Sequence, residues 1–159
     1  LLSLFTVTFY YAMNATNIYI VLKDGMAKRA QVIMMDEDAS ELTKFFQSSY
    51  LQRDQNLQIA LEGKSPYTYY TVRGIDHRLK MTWMWCWPWD TTARAEFTET
   101  IPRIDGRVKS SSADAARALY GDGFEYPPKW QGGRYAATLV KENGQWHVRS
   151  LTLLAQVDE

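Results

Sequence analysis

From Ile75 to Met81 the chain alternates apolar or aromatic side chains with polar ones, and from Trp83 to Trp89 tryptophan stands at every second position. Ile75, His77, Leu79, Met81, Trp83, Trp85, Trp87 and Trp89 share one parity, and Asp76, Arg78, Lys80 and Thr82 share the other. Side chains of an extended strand alternate between its two faces. The pattern therefore predicts a strand, or a pair of strands, over 68–89 with a dry face that carries a row of indoles. Gly74 is the expected bulge. Pro88 has no N–H for a ladder and marks an edge or the end of pairing. On this parity Trp83 and Trp85 are expected to be buried, and Trp89, beside the turn, more exposed. Cys86 falls on the wet side as a small, partly packed hydrophobe.

Upstream the period changes to that of a helix. Ile18, Val21, Leu22, Gly25 and Met26 form a stripe that resumes at Val32 and Ile33 after Arg29. Gly25 inside it implies a kink or close packing. Asp36, Glu37 and Asp38 break this helix, and Asp38 with Glu41 fits a capping box. A second helix to about Arg53 would bury Leu42, Phe45, Phe46 and Tyr50. Downstream, 92–101 alternates again, with Ala93, Ala95, Phe97 and Ile101 opposite Arg94, Glu96, Thr98 and Thr100. Asp105-Gly106 reads as a turn, Ser112 as the cap of a helix ending at Gly121, and Tyr126-Pro127-Pro128 as a rigid loop. Asn143-Gly144 between two alternating runs is a strong hairpin signal. Helices followed by antiparallel strands predict an α+β domain with the helices packed on one face of the sheet.

Residues Leu1 to Leu22 carry no charge, and Leu1 to Met13 are mostly apolar. A full membrane span needs about 20 apolar residues, and Asn14, Thr16 and Asn17 interrupt this one. With Phe9, Tyr10 and Tyr11 resembling an interfacial aromatic belt, residues 1–15 are expected to be the end of a truncated transmembrane or juxtamembrane helix. A buried first helix and a signal-peptide remnant are the alternatives. The start at Leu-Leu-Ser, without methionine, suits a fragment or a processed product. Residues 16–159 then form a single domain.

Composition removes several options. Eighteen basic residues balance eighteen acidic ones, so no global field favours nucleic acid or an anionic surface. One cysteine allows neither an internal disulfide nor a cysteine-rich zinc site. The three consecutive acids fit a cap and a solvated turn better than a metal site. Gly121-Asp122-Gly123 lacks the strand–helix frame of a dinucleotide fingerprint. No cofactor or metal is expected.

The order of helix, helix, long bent strands and terminal hairpin resembles the NTF2-like, cystatin-like cone superfamily over roughly residues 16–157. The segments that carry the resemblance are Leu42 to Asp54, similar to the helix entering the sheet, and Glu142-Asn143-Gly144-Gln145-Trp146-His147-Val148, similar to the closing hairpin. With an apolar N-terminal segment, the chain further resembles the bacterial inner-membrane assembly factors of type IV secretion and conjugation, and the transfer proteins of conjugative transposons. That resemblance implies a single-pass protein of the bacterial cytoplasmic membrane with an extracytoplasmic domain. It also implies a scaffolding role among other membrane-complex proteins or further copies of itself, without direct contact to nucleic acid.

Some NTF2-like enzymes use carboxylates, histidine or tyrosine inside the cone. The equivalent set here is His77 as base, Glu99 as its orienting partner and Tyr135 as oxyanion donor. Desolvation and pairing would tune such a set, and catalysis needs an open pocket in front of the base. The indole row is expected to fill the cone instead, which argues for no catalytic site. The row itself has three readings: core packing, a partner or oligomer interface centred on Trp85, Trp87 and Trp89, or a stacking platform for sugars or bases. Base stacking is the weaker form of the last, because single-strand platforms pair stacking with a basic groove. The favoured function is a non-catalytic, membrane-anchored assembly domain, and the alternative is a cone-pocket protein that binds or converts a small apolar molecule.

Overall fold

The computed structural model describes residues 1–158, and it is an α+β protein with helices first and antiparallel strands after. Helix α1 runs unbroken over Leu2–Met35. Its second half buries Ile18, Leu22, Met26, Ala30 and Ile33, a stripe at i+4 and i+3 spacing. Gly25 serves close packing: a Cβ there would stand 2.8 Å from Cβ of Phe45. The helix ends at Asp36 in the left-handed conformation, φ 54°. The first half is different. Every residue from Leu1 to Tyr10 is exposed, and Asn14 is the first buried one. No helix among the described residues is long and apolar enough to cross a membrane.

The expected second helix is broken. Asp38 caps only a 3-10 turn, Ala39–Lys44, and accepts from the Ser40 N–H, not from the N–H of Glu41. The backbone at Phe46 then turns extended and pairs with Val148, through Val148 N–H to Phe45 O at 2.7 Å and Gln47 N–H to Val148 O at 2.9 Å. A helix cannot continue through residues whose amides bond to a strand. Leu42 and Phe46 still reach the core. Two short helices follow, α2 (Ser48–Arg53) and α3 (Gln55–Leu61), the second capped by Asp54.

Strands β1 (Tyr70–Ile75) and β2 (Arg78–Trp85) run antiparallel to β4 (Ile104–Val108) and β3 (Thr92–Thr100) as one ribbon bent at Asp76-His77. The bend divides it into a β1–β4 pair and a four-stranded sheet of order β2-β3-β5-β6. Strands β5 (Gly132–Glu142) and β6 (Gln145–Val157) meet at Asn143-Gly144, both with positive φ, as the turn residues predict. Asp105-Gly106, expected as a turn, lies inside β4. Gly106 is there for close approach, since a Cβ would come 2.8 Å from the Thr71 carbonyl. Helix α4 (Ala113–Tyr120) stops at Gly121 as expected.

The ladder of β2 corrects the indole expectation. Leu79 opposes Glu99 and Met81 opposes Phe97, so both point inward with these buried partners. Register then shifts between Met81 and Trp83, leaving Thr82 as the extra residue of a bulge. A one-residue shift exchanges the two faces of everything that follows. Met84 now opposes buried Ala95, while Trp83 opposes Glu96 and Trp85 opposes Arg94 on the outer face. Trp83 and Trp85 are accordingly 49% and 46% exposed, not buried, and Trp89 is 71% exposed as expected. Cys86, assigned to the wet side, is buried. Leu79, Met81 and Met84 pack beneath β2 where the indoles were expected.

Candidate functional site

Two places in this fold carry the residues singled out above. The first lies at the ribbon's bend. His77 sits between β1 and β2, and Glu99 ends the inward row of β3. His77 Nε2 and Glu99 Oε2 are 2.8 Å apart, and both side chains are buried. The second carboxylate oxygen accepts from the Trp130 indole N–H at 3.2 Å. Gly133 faces Glu99 across β5 with no side chain to crowd it. A Cβ there would press to 2.7 Å from Leu153 and 2.9 Å from Tyr135.

Tyr135 is inward on β5 opposite Phe97, and the two rings stack with centroids 5.6 Å apart. Burial pushes its phenol pKa up, and the charge of Glu99 adds to that. Tyr135 and Trp130 line a cavity of about 340 Å³ with Ile33, Ile59, Tyr67 and Leu153. Neither His77 nor Glu99 lines it. The structure thus brings His77 and Glu99 together but closes them behind Trp130, while Tyr135 faces the hollow. Both oxygens of Glu99 are engaged, and a base must reach its proton directly or through one water. The indole row, expected to fill the cone, lies exposed on the outside instead, and the tryptophan beside Glu99 is Trp130.

A second buried polar group was not singled out as a pair from the sequence. Arg29 on α1 meets Asp54, the cap of α3, through Nε at 2.6 Å and Nη2 at 3.0 Å. Tyr50 donates to Asp54 at 3.2 Å, and so does the Leu57 N–H at 3.3 Å. Burial alone would raise the Asp54 pKa, but Arg29, with the Leu57 N–H and the Tyr50 hydroxyl, holds it below the usual carboxylate value. Its signal was present as the one charge interrupting the apolar stripe of α1. The pair joins helix to helix and is structural.

The other place is the aromatic row. Trp85 and Trp87 meet edge to face at 5.0 Å, and Trp87 stacks on Trp89 at 5.2 Å. Tyr11 of α1 completes the line 6.0 Å from Trp85, and its hydroxyl donates to the Met84 carbonyl at 3.4 Å. One turn on, Asn14 donates to the Pro88 carbonyl at 3.4 Å. Phe5 stands 67% exposed near the tip of the helix. Among the described residues no group of three or more His, Cys, Asp and Glu side chains is placed to hold a metal ion. No family model matches the chain, and no curated protein matches it.

Proposed function

We propose that this protein is a non-catalytic assembly domain tethered at a membrane by the first half of α1. The observation that carries the reading is the uncharged, exposed run from Leu1 to Tyr10, continuous with a helix whose other half is core. Exposed leucine and phenylalanine on all sides of a helix have no counterpart in a solvated surface helix, which keeps a polar face. The satisfied His77–Glu99–Trp130 cluster supports the non-catalytic part, because its carboxylate has no free oxygen. In its finer form the reading is an NTF2-like cone in a bacterial conjugation, type IV secretion or envelope complex. The helix-first order and the closing Asn143-Gly144 hairpin favour that form. The partners in that form are other proteins of the membrane complex and further copies of the chain. Fractionation of the full-length protein tests the tether: recovery with membranes, released by detergent but not by salt, is expected. Recovery in the soluble fraction overturns it.

The cavity of about 340 Å³ between Trp130 and Tyr135 favours a second reading, a pocket for a small apolar molecule. Titration with a steroid-sized apolar probe decides it. Saturable binding that Tyr135→Trp abolishes would place a ligand there, and no binding would leave the tethered assembly domain alone.

A further inference from the structure

We infer that the tryptophan row is a one-sided collar that seats the domain in the headgroup layer of a lipid bilayer beside the emerging α1. This rests on the tether proposed above and adds a second membrane contact, made by the sheet. Three observations place lipid, and not a protein partner, against it.

The first is position. The row does not lie at random on the sheet. Tyr11 touches Trp85 and Asn14 bonds to Pro88, so the row lies against one side of α1 at the level where it changes from exposed to buried. Phe9 and Tyr10 stand at the same level on the helix, their rings 5.7 Å apart.

The second is length. At 1.5 Å per residue, Leu1 to Tyr10 extends about 15 Å beyond the collar, close to half of a hydrocarbon core about 30 Å thick. A tip sunk through one leaflet brings Trp85, Trp87 and Trp89 to the headgroups. Indole and phenol rings favour that layer, with an apolar body and an N–H or O–H for the wet side.

The third is charge. The first charged side chain in the sequence is Lys23, about 20 Å of helix past Tyr10 and about three turns beyond the collar. On the sheet, Arg94 opposes Trp85 and Glu96 opposes Trp83, so the neighbouring charges cancel. The surface therefore suits a neutral, zwitterionic headgroup and needs no anionic lipid.

Flotation of the chain with phosphatidylcholine vesicles tests this, at low and high salt, with lipids brominated either just below the headgroup or near the chain end. The wild type should float equally at both salts. Its tryptophan emission should shift to the blue and be quenched more by the shallow bromines. Buried Trp146, half-buried Trp130 and outward Trp83 stay in every variant and give the common background. Trp85→Ala/Trp87→Ala/Trp89→Ala should lose partition about tenfold or more, the scale expected for three large rings leaving the interface, while circular dichroism stays that of the wild type. Leu4→Asp/Phe5→Asp should abolish flotation.

Other outcomes separate the two readings. Wild-type flotation that the tip variant abolishes and the triple variant does not, without shallow quenching, overturns the collar and leaves the tether. No flotation of the wild type overturns both. Tryptophan-dependent dimers in sedimentation, with no quenching by lipid, assign the row to a second copy of the chain and overturn the collar. If the triple variant loses its fold, shallow quenching of the wild type alone decides the question.

Discussion

At the scale of single residues, the buried charges set the sharpest expectations. Arg29 and Asp54 make two hydrogen bonds in a site closed to solvent. Asp54→Asn leaves the guanidinium buried beside a neutral amide, and breaking such a pair costs about 3–5 kcal/mol. Urea unfolding at pH 7 measures it. Asp54 has a folded-state pKa below its unfolded value, so the stability it contributes is fully present above about pH 4 and is lost as pH falls through the folded value. The wild type should therefore lose stability below pH 4 more steeply than Asp54→Asn. Trp83 carries the opposite lesson. Half exposed on the outer face, Trp83→Ala should cost less than the roughly 3–5 kcal/mol of an aromatic truncation in a core. Both inward residues His77 and Glu99 were legible from parity, because they precede the bulge on β2 or lie on the regular strand β3. The engagement of Trp130 was not, since it comes from a loop with no periodicity.

At the scale of elements, the bulge at Thr82 decides which face of β2 is dry. The irregular point of β1 is marked by the adjacent Gly74, a residue that bends readily, whereas threonine fits a regular strand and gives no sign. This is why Trp83 and Trp85 face outward although the alternation holds on both sides of the bulge; β2 ends at Trp85, so Trp87 and Trp89, expected on the same strand, lie in the turn beyond it. Deleting Thr82 removes the extra residue and keeps Trp83 opposite Glu96 and Trp85 opposite Arg94 in a regular ladder, so both indoles should stay on the outer face. The variant should fold, with a urea midpoint and a near-ultraviolet circular dichroism spectrum close to those of the wild type, and a collapse of either would show that the bulge itself is needed. On α1, Gly25→Ala sets a Cβ 2.8 Å from Phe45 and should destabilise by about 1–3 kcal/mol in the same assay. The break of the expected second helix at Phe46 was not legible locally, because the bonds that stop it come from β6, about a hundred residues later. Helix α3 went unread because only Leu57 is buried on it, too short a stripe to register.

At the scale of the molecule, the α+β order was legible, since helical and alternating periods occupy separate stretches of the chain. The terminal hairpin was legible from two turn residues. Removing residues 1–10 tests how independent the projecting half of α1 is. These residues are exposed, so the deletion should change stability by no more than about 1 kcal/mol while abolishing association with vesicles. A large drop in melting temperature would mean that the tip is part of the domain's own packing.

The unbroken course of α1 has a consequence in angular terms. No proline and no break lies between Leu2 and Met35, so the azimuth of the tip is locked to that of Arg29 and the core stripe. Each residue added between Met13 and Asn14 turns everything before it by about 100° and lifts it by about 1.5 Å. One inserted alanine swings Tyr11 away from Trp85 and points a new side of the tip outward. Seven inserted residues come back within about 20° of the original phase, about 10 Å farther out. An insertion series of one to seven alanines should therefore leave folding intact, and an activity that needs only a tether should survive it smoothly. One that needs the domain held at a fixed heading should fail and return with the helical repeat.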